Sequence, residues 1–230
     1  VPFDVINYFL YAAEDPKIDE VTKKTFSKKE SFYFFDTENS TLGLLLTGSV
    51  IVEMKIFSGQ WTANNIINEG GIFGIENIAT NLNLRRTSEY RVTGLEQGAY
   101  LEIDKEYLLL NMVQEPIQNY VLDKLIDTLM DINSLHQYTQ MSLHSKIIKE
   151  LALLAGDLNL ELINSFIIFP EFVNITFLAK YLNSSRASIL LELKNLQNTG
   201  TLVSKKPLII NIQKAHSQQF LKNYYYKSDL

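Results

Sequence analysis

The chain has 230 residues, 46% of them hydrophobic and 20% charged, with a formal net charge of -5. That is ordinary globular material with enough apolar residues for one large domain or two smaller ones. It contains no cysteine, which excludes disulfides, thiolate zinc sites, cysteine-ligated iron–sulfur clusters and cysteine nucleophiles together.

His136, His144 and His216 fall at no metal-ligand spacing, so no metal site and no cofactor are expected. The longest uncharged run near the front, 39–52, is too short to span a bilayer. The first residues, Val1-Pro2-Phe3-Asp4, lack the basic flank of a signal peptide. The expected compartment is the cytoplasm, with no membrane partner.

Val5 to Ala13 reads as a short amphipathic helix. Eight of the ten glycines then lie between Gly43 and Gly98, and short alternating runs sit between them. In "SVIVEMKIF" the residues Val50, Val52, Met54 and Ile56 point one way and Ser49, Glu53 and Lys55 the other, which predicts a half-buried strand. "SGQ" predicts a hairpin turn into "WTANNII", "NEGG" another turn, and "RTSEYRV" and "GAYLEI" two later strands. Short strands at this spacing indicate a sandwich or barrel rather than a parallel sheet.

From Pro116 the period changes. Leu122, Leu125, Leu129, Ile132, His136, Thr139 and Leu143 recur at steps of three and four, a heptad seam, with Pro116 suited to the first helical position. A helix lying on its own domain would also be apolar on one face. A narrow stripe flanked by Asp123, Lys124, Asp127 and Asp131 instead favours pairing with a second copy, through Leu122, Leu125, Leu129, Ile132 and His136.

A further helix, "LHSKIIKELALLAGDL", is expected to stop at Gly156. "SFIIF" is a strand, and then comes "NITFLAKYLNSSRASILLELKNLQNTG", two helical patterns around a polar turn. Asn174 suits the cap of the first helix and Ser184 that of the second. Leu178 and Leu182 form the inner face of one, and Ile189, Leu190, Leu193 and Leu196 that of the other. "TLVSKKPLIINI" then reads as two strands, Thr201–Ser204 and Leu208–Ile212, joined by a basic Lys205-Lys206-Pro207 turn. Helices followed by a basic hairpin make a winged helix-turn-helix. Residues 143–230 carry ten Lys or Arg against six Asp or Glu, whereas 1–142 carry eleven against twenty. The acidity therefore lies outside the segment expected to meet DNA.

Ser185, Arg186 and Ser188 fall at the exposed start of the second helix, where a recognition helix meets bases and phosphates. Arginine offers a fork that fits the two acceptors of guanine, and serine hydroxyls suit phosphate oxygens. Asn174, Ala187, Lys205 and Lys206 complete the expected DNA-facing set. The competing reading makes Arg186 a solvated surface charge on a helical hairpin.

These motifs together resemble the Crp/Fnr family of bacterial transcription regulators over nearly the whole chain. "LLLTGSVIVEMKI" is similar to the family's strand–Gly-Ser–strand signature, and "EGGIFGIE" to its glycine-rich turn. "LAKYLNSSRASILLELKNLQNTGTLV" is similar to I-G-x-x-x-G-x-S-R-E-T-V-x-R-x-L-x-x-L followed by a short loop and L-I. The resemblance implies an α+β chain. It comprises an N-terminal β-roll (a double-stranded β-helix or jelly roll) over 1–113, a dimerisation helix over 114–142, and a winged helix-turn-helix over 143–230. It further implies a homodimer on a palindromic site in double-stranded DNA, acting with RNA polymerase and without enzymatic activity. Ala187 stands where many members have a base-reading Glu, and Leu191 where a second Arg can stand.

Cyclic-nucleotide members hold ribose with a Glu and phosphate with an Arg-Ser pair, and Glu76 and Arg86-Thr87 occupy that spacing here. Ile75 replaces the Gly expected before the Glu, and Asp131 and Ile132 replace hydroxyl residues on the helix. The effector is therefore not expected to be a cyclic nucleotide. A cyclic-nucleotide-responsive regulator stays open as an alternative, with Glu76, Arg86, Thr87 and Asp131 as its pocket. So does a ligand-binding β-roll whose C-terminal domain contacts protein. Haem sensing, with His136 or His144 as an axial ligand, is disfavoured, since His136 at the seam suits a polar residue that tunes helix register. No Ser/His/Asp set, phosphate loop or paired carboxylate points to an enzyme.

Overall fold

The computed structural model describes residues 4–34, 41–55, 59, 61–75, 89–137 and 141–215, with side chains at all of these except 34, 64 and 128–137. It divides into two compact units, Val1–Leu135 and His136–Leu230.

The first unit opens with α1 (Val5–Glu14), where the Asp4 carboxylate accepts from the amides of Ile6 and Asn7 and so satisfies the helix's opening turn. Val5, Phe9 and Ala12 share its buried face, the spacing read from the sequence. Eight strands follow: β1 (Val21–Phe26), β2 (Ser31–Phe34), β3 (Thr41–Thr47), β4 (Val50–Lys55), β5 (Trp61–Ile67), β6 (Ile72–Phe73), β7 (Tyr90–Gly94) and β8 (Gly98–Asp104). They form two four-stranded sheets, ordered β1-β8-β3-β6 and β2-β7-β4-β5, and every pairing is antiparallel. Phe26, Leu45, Phe73 and Tyr100 of the first sheet meet Tyr33, Val50, Val52 and Val92 of the second in one aromatic-rich core.

Two glycines are required by this packing. Gly48 turns the chain from β3 to β4 at a φ of 84°, and a Cβ there would lie 2.8 Å from the Gln97 carbonyl oxygen. Gly43 leaves room for the Phe73 ring, which a Cβ would approach to 1.9 Å.

In β4, Val50 and Val52 face inward as expected, but Ile51 and Glu53 are buried as well. The expectation of a solvated Glu53 fails because its carboxylate accepts from Arg91 Nε at 2.8 Å and from Thr93 Oγ1 at 2.7 Å, while the Trp61 ring lies 4.4 Å from the Arg91 guanidinium. A charged group can be buried only with such partners.

After α2 (Lys105–Asn111), capped by Asp104, comes α3 (Glu115–Gln137). Pro116 is the second helical residue rather than the first. Ile117 and Val121 are fully buried in a second core with Val5, Phe9, Leu42 and Leu101, and Leu125 packs partly against it.

The second unit begins with α4 (Leu143–Asp157), where the Ser142 hydroxyl accepts from the Ser145 amide. Gly156 does not end this helix. The chain leaves it through Leu158, and Asn159 takes the left-handed conformation at a φ of 48° while the Leu160 amide returns to the Ala155 carbonyl. Next come β9 (Leu162–Ile163), β10 (Phe166–Ile168), α5 (Ile175–Tyr181), α6 (Arg186–Asn198), β11 (Leu202–Lys205) and β12 (Leu208–Asn211). The strands form an antiparallel sheet, β11-β12-β10-β9. The terminal hairpin thus includes Lys205 in its first strand, which leaves Lys206-Pro207 as the turn. Ile147, Leu151, Phe177, Leu178, Ile189 and Leu193 are among the unit's buried residues. The fold is a mixed helix and sheet architecture with antiparallel sheets, and among the described residues no helix is long and apolar enough to cross a membrane.

Candidate nucleic-acid interface

The two helices α5 and α6 meet across the turn Leu182-Asn183-Ser184, with Asn183 at a φ of 47°. Asn174 caps α5: its Oδ1 accepts from the amides of Thr176 and Phe177, and its Nδ2 donates to the Glu171 carbonyl. A side chain proposed for DNA is thus largely occupied by the helix it starts. The cap of α6 is Ser185 rather than Ser184. The Ser185 hydroxyl accepts from the Ser188 amide at 3.0 Å and shares a hydrogen bond with the Ser188 hydroxyl at 2.8 Å, whereas Ser184 donates back to the Leu182 carbonyl.

Ile189, Leu193 and Leu196 bury one side of α6 at 1% exposure or less, which leaves Arg186, Ala187 and Ser188 outside. Leu190 does not join the packed face and is 46% exposed, because its neighbour Ile189 already occupies the core-facing position. Arg186 is exposed but held, with its Nη2 donating to the hydroxyl of Thr176 in the first turn of α5. The first turns of both helices and the Lys205-Lys206-Pro207 segment bound a groove of about 1020 Å³. Asn174, Thr176, Arg186 and Ala187 line it, with Glu171 as the one acidic lining residue. Lys205 is half-buried and Lys206 exposed at its rim. Ser185 and Ser188 are not among its lining residues.

Sequence reasoning missed Thr176, since a threonine inside an apolar helical pattern carries no signal of a partner ten residues on. It also missed Glu192, whose carboxylate lies 3.1 Å from His144 Nδ1 and links α6 to α4.

The expected seam on α3 divides. Leu125 lies partly against its own core while Leu122 is 44% exposed, and Ile126, outside the expected seam, is 55% exposed. Leu143, the last residue of that seam, opens α4 instead of continuing α3. The side chains of Leu129, Asp131, Ile132 and His136 lie outside the described residues, as do Thr139 and the cassette residues Glu76, Arg86 and Thr87. Ile75, next to that cassette, is buried with Leu42, Leu44 and Val121. Among the described residues no group of three or more His, Asp or Glu could hold a metal ion.

No family model matches the sequence, and no curated protein matches it. Solved structures do resemble it. A cyclic nucleotide-binding domain containing protein from Listeria monocytogenes EGD-e has a TM-score of 0.72 at 19% identity, over 91% of this chain and 98% of that one. The c-di-GMP responsive global regulator CLP of Xanthomonas campestris has a TM-score of 0.72 at 16% identity, over 90% and 99%. A transcriptional regulator of the CRP/FNR family from Thermus thermophilus has a TM-score of 0.66 at 12% identity, over 88% and 98%. At these identities the likeness is one of fold. The chain therefore resembles the Crp/Fnr transcription regulators in architecture as well as in sequence motif.

Proposed function

We propose that this chain is a sequence-specific DNA-binding transcription regulator that acts as a homodimer on a palindromic site. Residues 1–113 form the β-roll sensor, 114–142 the dimerisation helix, and 143–230 a winged helix-turn-helix with α6 as its recognition helix. The observation that carries this reading is the groove in the second unit, which sets an exposed Arg186 beside a lysine-bearing hairpin. A duplex needs that combination: an arginine fork for a guanine edge and cations for the phosphates beside it. Ser185 and Ser188 lie at the end of α6 that approaches the backbone, where amides and hydroxyls suit phosphate oxygens.

Dimerisation uses the exposed Leu122 and Ile126 together with Leu129, Ile132 and His136 further along α3. The effector is a small molecule other than a cyclic nucleotide, or none is needed. RNA polymerase is the second partner, and the protein acts in the cytoplasm without catalysing a reaction. Footprinting of the native protein across its genome, with titrations on the recovered fragments at two salt concentrations, tests the reading. Affinity should fall steeply as salt rises, by about 0.9 in log–log slope for each phosphate neutralised. Salt-independent binding, or none, would refute it.

A further inference from the structure

We infer that the outer ridge of α6, formed by Ala187, Leu190 and Leu191, reads thymine methyl groups, so that the selected half-site is A·T-rich around the guanine taken by Arg186. This rests on the DNA-binding reading above. The three residues stand at i, i+3 and i+4 and share one side of the helix. The core-facing side is already filled by Ile189, Leu193 and Leu196, none more than 1% exposed, whereas Leu190 is 46% and Leu191 59% exposed. A surface helix normally turns charged or polar residues outward, so contiguous exposed leucines at the start of this one mark a contact surface.

Charge identifies the occupant. Arg186 and Lys194 on α6 are both exposed, and Lys205 and Lys206 rim the groove that Leu190 and Ala187 line. An apolar strip framed by four cations suits a polyanion that carries apolar groups in a groove. In the DNA major groove that group is the C5-methyl of thymine. The polar code is short by comparison. Between Arg186 and Leu191 the polar side chains are Arg186 and Ser188, and Ser188 is bonded to the Ser185 cap. Glu192, the nearest carboxylate on α6, faces His144 and Asn195. Adenine and cytosine edges, which ask for Asn, Gln, Glu or Asp, have no matching partner on this ridge.

The experiment starts from the full chain and a random-sequence duplex pool, from which bound duplexes are selected. The selected operator is then titrated with each half-site thymine replaced in turn by deoxyuracil, which removes the methyl and leaves every hydrogen-bonding group in place. One or more positions per half-site should bind about four-fold more weakly, the effect of losing one buried methyl. In L190A/L191A, checked for its fold by circular dichroism, thymine and uracil duplexes should bind alike. Uracil duplexes that bind the wild type like the parent at every position would overturn the inference, and so would a half-site without thymine or discrimination that survives in the double variant. In each of those cases the DNA-binding reading stands. If no duplex is selected at all, that reading falls and the ridge belongs to a protein partner.

Discussion

The guanidinium of Arg186 donates to the hydroxyl of Thr176, which joins the first turn of α6 to the first turn of α5. An arginine has five N–H donors in a rigid fork, so one given to Thr176 leaves others for a base and fixes their direction. Pre-organisation of this kind lowers the entropy lost on binding. Arg186→Ala should cost about 1–3 kcal/mol per half-site and relax preference at one base pair. Thr176→Val should cost less, about 0.5–1.5 kcal/mol, and nothing further once Arg186 is alanine. A double-mutant cycle on the selected operator measures this, and additive losses would show that Thr176 does not act through Arg186.

Lys205 and Lys206 should behave differently from Arg186. As phosphate partners they carry no base information, so K205A and K206A should weaken all sequences alike. Each should reduce the slope of log affinity against log salt by about 1. Titrations over operator variants at several salt concentrations separate the two behaviours. The spacing between half-site centres should be about 34 Å, one helical turn of DNA.

The division of α3 sets the design of a dimer test. Leu125 contributes to its own core, so a charge there would damage the monomer, whereas Leu122 and Ile126 are exposed and can be changed without opening the fold. Leu122→Asp with Ile126→Asp should give a folded monomer with weak operator binding, read by sedimentation and circular dichroism. A double variant that remains dimeric would remove this stripe from the interface.

Two tyrosines give the fold an alkaline limit. The Tyr120 phenol donates to the Gly70 carbonyl, and burial, then the nearby Asp4, pushes its pKa up to about 12. Burial, then Glu102 and Glu30, pushes that of Tyr100 up to about 12 as well. Both values lie above the unfolded one near 10.0, so the folded chain holds protons that the unfolded chain has released. Their contribution is complete below about pH 10 and is lost as pH rises toward about 12. The tyrosinate absorbance of Tyr100 and Tyr120 should lag until the far-ultraviolet circular dichroism collapses. Tyr120→Phe should make unfolding less steep over that range.

Gly43→Ala should be costly although it adds one carbon. The new Cβ would lie 1.9 Å from the Phe73 ring, itself 2% exposed, so the ring must move inside a packed core. A loss of about 1–3 kcal/mol is expected in denaturant titrations, and Phe73→Leu should recover part of it in the double variant.

Local chemistry was legible in the sequence where its cause is local. Asn174 as a cap and Ile189, Leu193 and Leu196 as a buried stripe follow from side-chain reach and helical period, and both are present. Ser184 and Ser185 differ only in backbone conformation, so two adjacent serines gave no means of choosing the cap. Gly156 looked like a stop because glycine adopts the left-handed conformation easily, yet Asn159 supplies it instead. On α3 the apolar residues form two overlapping stripes, and which one faces the core depends on α1 and β3, far away in sequence. The effector cassette, Glu76 and Arg86-Thr87, lies outside the described residues, and its chemistry rests on sequence alone.

The burial of Glu53 has a consequence for how the sheet is assembled. Val50, Ile51 and Val52 are buried on both faces of β4, so apolar pattern alone would let that strand slide along β7 at little cost. Glu53 removes that freedom. Its carboxylate meets Arg91 Nε and Thr93 Oγ1 only when it lies opposite Arg91. A slip of one residue would turn the charge toward the aromatic core with no cation to receive it, a penalty of several kcal/mol. The ion pair thus acts as an index mark, which selects one alignment from several that oil alone would accept.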